Sequence, residues 1–174
     1  MRFEHADIID APKERVFAIM RDELPQVAAY LPNISKVQTL EYTKEGSKTA
    51  ITNHWFAEAS VPAMAEKFVK PELFSWKDTA LWDDEQFQVS YELESFLSSE
   101  IYDAKGVNYF RDTGDGKTEL QLTCEVVIHA DKIPGVPRLL SRKVVPMVEK
   151  MIEKMLAPNL TSLGEGLKKY LKDH

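Results

Sequence analysis

Cysteine occurs once among the 174 residues, as Cys124, so no internal disulfide forms and nothing points to an oxidising compartment. Long apolar runs are missing as well: polar or charged residues interrupt every hydrophobic stretch short of the ~18 that a membrane-spanning helix needs. The opening Met1-Arg2-Phe3-Glu4-His5 lacks the basic, apolar, small-residue order of a secretory signal. The expectation is a cytoplasmic protein without a transmembrane segment. Lys and Arg number 22 against 28 Asp and Glu, and the formal charge of -6 argues against nucleic acid as a partner, since phosphate contacts need clustered cations.

Histidine is sparse and scattered. His5, His54, His129 and His174 form no i, i+4 pair and no cluster with cysteine, so no metal is expected. Glycine is scarce where phosphates would be cradled, and Gly-x-Ser-x-Gly, Gly-x-Gly-x-x-Gly and Walker patterns are all missing. No cofactor and no assembled catalytic group are expected. Cys124 lies mid-strand on an apolar face, where a buried thiol is inert.

What is present belongs to an ordinary globular protein: 44% hydrophobic and 29% charged residues, with mean hydropathy -0.32. The length suits one domain over residues 1–174, and no repeat or Gly/Ser linker divides it. Charge is unevenly spread. Residues 72–103 carry nine acids and one lysine, whereas 138–174 carry eight Lys or Arg and four acids. Two solvated faces of opposite sign explain this; a basic helix face for peripheral membrane contact or an acidic ligand is the sharper alternative.

Along the chain, residues 3–9 read as a strand, and Asp10-Ala11-Pro12 as a helix start, with the carboxylate able to cap. Val16, Phe17 and Met20 give that helix an apolar face. Pro25 opens a second short helix bearing Val27, Tyr30 and Leu31, closed by Pro32-Asn33. From Ser35 the period becomes two, with Gln38, Leu40 and Tyr42 alternating against Val37, Thr39 and Glu41, then a turn at 45–48 and a strand at 49–57. Residues 62–70 read as a short helix. Strands at 76–82 and 87–93 flank Asp83-Asp84-Glu85, and strands at 101–111 and 118–129 flank Thr113-Gly114-Asp115-Gly116-Lys117.

The period then reverts to helical. Val144, Val148, Met151, Met155, Leu160, Leu163, Leu167 and Leu171 recur every three or four residues. Pro146 predicts a helix start or kink and Pro158 a kink. Gly164 and Gly166 read either as tolerance near a helix end or as a close helix-to-sheet approach.

Two stretches resemble a known family. Ile9-Asp10-Ala11-Pro12-Lys13-Glu14-Arg15-Val16-Phe17 is similar to the passage from first strand to first helix in the START-related, or SRPBCC, superfamily. Residues 133–171, beginning Ile133-Pro134-Gly135-Val136-Pro137, resemble the ending of a bacterial branch. The element order is similar throughout. The resemblance implies an α+β helix-grip fold: a curved antiparallel sheet of about seven strands around a long C-terminal helix, with two short helices after the first strand. It also implies a cavity between sheet and helix, where relatives hold sterols, phospholipids, polyketides or plant hormones. The glycine-rich loop of the pollen-allergen branch has no counterpart, because Gly46 stands alone between the second and third strands.

A sheet closed by one helix leaves space at its wide end unless large side chains fill it. Phe17, Tyr30, Trp55, Phe68, Trp76, Trp82, Phe87, Tyr91, Tyr109, Leu122, Val148, Met151, Ile152 and Met155 are the candidate cavity lining, although any one of them could be ordinary core. The leading expectation is a noncatalytic binder or carrier of a hydrophobic small molecule, lipid, sterol-like or polyketide-like. A cyclase or dehydrase-like enzyme is the alternative, drawing on Asn53, His54, Asp78, Tyr91, Tyr109 and Arg111 as diffuse polar candidates. A protein or membrane-surface interaction module is the third. Strand alternation links two unknowns: if Trp55 points inward, so do Asn53 and Ala57, and His54 points out. The sequence encodes no oligomeric state.

Overall fold

The computed structural model describes residues 1–57, 75–95, 102–129, 132, 146, 158 and 160–174. Within them lie β1 (Arg2–Ile9), α1 (Lys13–Asp22), α2 (Leu24–Ala28), β2 (Ile34–Glu45), β3 (Lys48–Ala57), β4 (Ser75–Asp83), β5 (Gln88–Ser95), β6 (Tyr102–Asp112) and β7 (Thr118–Ile128). A terminal helix, α3, runs over 160–173, and Pro146 and Pro158 are also helical. The expected helix at 62–70, with Phe68, and the apolar stripe of Val144, Val148, Met151, Ile152 and Met155 lie outside the described residues.

The strands form one seven-stranded antiparallel sheet in the order β1-β7-β6-β5-β4-β3-β2. Strands consecutive in the chain are neighbours from β2 to β7, and β1 joins the far edge by pairing with β7. The two short helices after β1 carry the chain from one edge to the other. This is the expected α+β helix-grip architecture.

Alternation decides which face is buried. On β7, Leu120, Leu122, Cys124 and Val126 are buried inward, and Glu125 and Val127 are exposed. On α1, Val16, Phe17, Ile19 and Met20 form one buried face. Phe17 meets Trp82, Phe87 and Phe110 edge-on, with ring centroids 5.1–5.3 Å apart, the geometry favoured by aromatic quadrupoles.

Three local expectations are corrected. Asp10 does not cap α1: Pro12 occupies the cap position, no side chain caps the helix, and Val16 N–H donates to the Pro12 carbonyl. Asp10 sits two residues too early to reach the first turn. Phe87 is not the first residue of a strand but the last of a turn, with φ 47°. The Asp83 carboxylate accepts the Glu85 and Gln86 N–H groups and curls the chain there, while the Phe87 ring packs on Phe17. The simple alternation of β2 fails at Leu40, where the register slips by one between Thr39 and Glu41. The slip pairs Tyr42 with Ile51, and the Tyr42 hydroxyl donates to Asp22 of α1 at 3.2 Å.

The terminal helix packs closely. Leu167 is fully buried, and Leu160, Leu163 and Leu171 pack partly buried against the core. A Cβ built on Gly164 would stand 2.6 Å from Cγ of Asp7 on β1, and one on Gly166 would stand 2.5 Å from Cδ2 of Leu31. Close approach therefore explains both glycines. Lys168 anchors the same contact, its Nζ 2.7 Å from Asp7 and 2.7 Å from Glu165, so this cation of the basic helix face is engaged internally.

Candidate functional site

A cavity of about 120 Å³ lies between the inner face of the sheet and α3. Its wall comes from alternate residues of β4 (Trp76, Asp78, Ala80, Trp82) and β5 (Val89, Tyr91, Leu93), with Trp55 on β3, Asn108 on β6 and Cys124 on β7. Met20, Leu24, Leu31 and Ile34 close one side, and Leu160 and Leu163 the helix side. Trp55 and Trp76 are register partners whose rings stack with centroids 5.8 Å apart and planes 11° apart. Cross-strand aromatic pairs of this kind stiffen a sheet face.

One carboxylic acid stands among the described wall residues. Asp78 is 8% exposed. Its Oδ2 accepts a hydrogen bond from Nε1 of Trp55 at 3.2 Å, and its register partner on β3 is the buried Asn53. Asn53 is fixed in turn by Thr39, whose hydroxyl donates to the Asn53 Oδ1 at 2.9 Å. Oδ1 of Asp78 has no hydrogen-bond partner among the described residues. Burial pushes the Asp78 carboxyl up to about 7, against weaker opposing hydrogen-bond effects of Trp55 and Asn53. Among the described wall residues there is no Lys, Arg or His to favour the ionised form.

Tyr91, Asn108 and Cys124, the other polar side chains of the described wall, are engaged or inert, and the Trp82 indole is the exception. Tyr91 reaches across Gly106, and its hydroxyl donates to the Thr123 carbonyl at 2.7 Å. No ladder pairs join β6 and β7 between Lys105↔Glu125 and Tyr109↔Gln121, and side chains take over there. The Val107 N–H donates to Oγ1 of Thr123 at 3.0 Å, and the Thr123 N–H to Oδ1 of Asn108 at 3.2 Å. A Cβ on Gly106 would overlap the Thr123 carbonyl and stand 2.5 Å from the Tyr91 hydroxyl. Burial raises both the Tyr91 phenol and the Cys124 thiol, so both stay protonated near neutrality. The indole N–H of Trp82 is buried without a partner among the described residues.

Of the expected lining, the structure brings together Trp55, Trp76, Trp82 and Tyr91. Phe17 and Leu122 belong to the packed core, 3% and 0% exposed. Phe87 packs on Phe17 at the turn. Tyr30 stands by the end of α3, its hydroxyl donating to Asp173 and its ring edge-on to Tyr170. Tyr109 is corrected outright: it faces the opposite side of the sheet, under the Arg111 guanidinium, while its neighbour Phe110 turns inward. Trp55 points inward with Asn53, so His54 points out and stacks on Phe56 at 3.8 Å. The decisive residue, Asp78, was one of several diffuse polar candidates. Its signal was the alternation Trp76-x-Asp78-x-Ala80-x-Trp82, which places a carboxyl on a strand face that is otherwise apolar.

A larger open groove of about 680 Å³ crosses the outer face of the sheet. Arg2 pairs there with Glu4 and Glu125, and Arg111 with Glu119. Its balanced, paired charges are those of a solvated face. Among the described residues no helix is long and apolar enough to cross a membrane, and no group of three or more His, Cys, Asp or Glu could hold a metal ion.

No family model matches the chain, and no curated protein matches it significantly by sequence. Solved structures do match in fold. The Zhui aromatase/cyclase from Streptomyces sp. R1128 superposes with a TM-score of 0.66 at 17% identity, over 98% of this chain and 95% of that one. The norcoclaurine synthase of Thalictrum flavum, solved with dopamine and hydroxybenzaldehyde, gives 0.65 at 11% identity, over 100% and 87%. TTHA0849 from Thermus thermophilus gives 0.63 at 19% identity, over 96% and 97%. The likeness bears out the helix-grip fold expected from the sequence.

Proposed function

We propose that this protein binds or carries a hydrophobic small molecule in the cavity between the sheet and the terminal helix. The observation that carries the reading is the cavity itself, whose described wall is three tryptophans and aliphatic side chains interrupted by few polar groups, the composition of small-molecule sites generally. The volume suits a compact occupant. At about 120 Å³ it falls below the ~300–1,000 Å³ typical of drug-sized ligands. The test is to purify the protein from its native host, denature it in organic solvent and identify released molecules by mass spectrometry against a boiled control. A stoichiometric apolar compound supports the reading; an empty extract, with no shift in melting temperature across a panel of small apolar compounds, sinks it.

A second reading, acid–base catalysis on the bound molecule, is favoured by one observation. Asp78 is a carboxyl inside the cavity whose burial brings it to about 7, where it can both give and take a proton at neutral pH. The fold neighbours named for aromatase/cyclase and synthase activity lend this reading analogy only. Turnover of an extracted ligand by the wild type, with Asp78→Asn still binding it but not converting it, would establish catalysis over carriage.

A further inference from the structure

The ligand-binding reading leaves open what kind of molecule the cavity selects, and two buried groups bear on that. Oδ1 of Asp78 and Nε1 of Trp82 belong to residues 8% and 4% exposed, both in the cavity wall, and neither atom has a hydrogen-bond partner among the described residues. An unmet buried polar group destabilises the empty site, and a ligand that satisfies it recovers much of that loss. The chemistry of the unmet groups therefore describes the ligand.

The indole N–H is a donor only. Asp78 acts as donor or acceptor according to its proton. Its Oδ2 accepts from Trp55, which favours Oδ1 as the seat of the neutral acid's proton, since the carbonyl oxygen is the better acceptor. Burial in this wall favours that neutral form. From β3 come Trp55 and the register partner Asn53, whose hydrogen bonds oppose the effect of burial more weakly, and from β5 come Val89, Tyr91 and Leu93; Asn108, Cys124 and the leucines of α3 also line the described wall. The two titratable groups among them, Tyr91 and Cys124, are both held neutral by burial, and no cation lies among the described wall residues.

We propose that Asp78 anchors the occupant through a hydrogen bond donated by its Oδ1 hydroxyl, so that the cavity selects a compact apolar molecule bearing a carbonyl-type oxygen. Trp82 offers a second donor of the same sense. A protonated amine, which donates and cannot accept, leaves Trp82 unmet and requires Asp78 to ionise in an apolar wall. The size argument limits the apolar part to roughly one ring, since a dry cavity of about 150 Å³ accommodates benzene. This inference rests on the binding reading above and adds the ligand's polar signature to it.

Acetophenone, ethylbenzene and benzylamine share size and differ in the polar group. Their affinities for the wild type, Asp78→Asn and Asp78→Leu are to be measured calorimetrically at about pH 5.5 and about pH 8.5, below and above the Asp78 midpoint. The wild type is expected to bind acetophenone about tenfold tighter than ethylbenzene at the lower pH, the size of one good hydrogen bond, with the preference shrinking at the higher pH. Asp78→Asn, which keeps a donor but no longer titrates, should retain the preference at both values. Asp78→Leu should lose it while still binding ethylbenzene, and that retained binding shows the variant is folded. Equal affinity for acetophenone and ethylbenzene in the wild type overturns the anchor and leaves the binding reading standing. Tightest binding of benzylamine, rising with pH, overturns the donor assignment. Binding of none of the three, together with an empty native extract, overturns both.

Discussion

Asp7 on β1 and Gly164 on α3 compete for one space: a Cβ on the glycine would stand 2.6 Å from Cγ of the aspartate. Asp7 cannot swing aside freely, because Lys168 holds Oδ1 at 2.7 Å and His5 holds Oδ2 at 2.8 Å. Gly164→Ala should therefore destabilise the protein by about 1–2 kcal/mol, overpacking outweighing the ~1 kcal/mol gain in helix propensity. Gly166→Ala meets only the far end of Leu31 and should stay within about 1 kcal/mol of wild type. Urea denaturation of both variants checks the contrast, and equal losses would contradict it.

Asp78 makes stability depend on pH. Its carboxyl ionises near 4 when unfolded and at about 7 when folded, so between those values the folded state binds more protons than the unfolded one. Stability from this group is then lost as pH rises from about 4 to about 7 and is level above, a loss of a few kcal/mol in order of magnitude. Asp78→Asn removes the dependence. The urea midpoint of the variant should gain on that of the wild type across this interval, and a constant difference between the two would refute the assignment.

Tyr91 closes the interval in the β6–β7 ladder from above. In Tyr91→Phe the Thr123 carbonyl loses its donor in a part-buried position, at a cost of about 1–3 kcal/mol. Faster amide exchange at Val107 and Thr123 than at Leu120 should locate the weakening. Gly106→Ala should be worse, because its Cβ overlaps the Thr123 backbone carbonyl, which no rotamer change can move. If Tyr91→Phe leaves the melting temperature and exchange unchanged, the hydroxyl is not what holds this interval.

The strands were readable because their signals are local. The run Leu120, Leu122, Cys124, Val126 states its own buried face, and Gly46, Gly114 and Gly116 mark turns at positive φ. Reading failed where a local pattern has two solutions. Phe87 looks like the first apolar position of a strand, yet the Asp83 carboxylate ends the turn one residue later. Tyr109 looks as suited to a cavity as Tyr91, but Gln88↔Tyr109 is the register pair, and Gln88 faces away from the cavity strand face of Val89 and Tyr91.

The order of strands and short helices and the apolar inner face of the sheet are legible in the chain, since each follows from periodicity and turn chemistry within a few residues. The site is set in three dimensions. Whether Trp55 or His54 turned inward, whether Asp78 met a cation or an apolar wall, and why Gly164 must be glycine all depend on pairings between distant strands and the terminal helix. Such pairings set desolvation and steric exclusion, which depend on neighbours in space, and a strand's own alternation is silent about those neighbours.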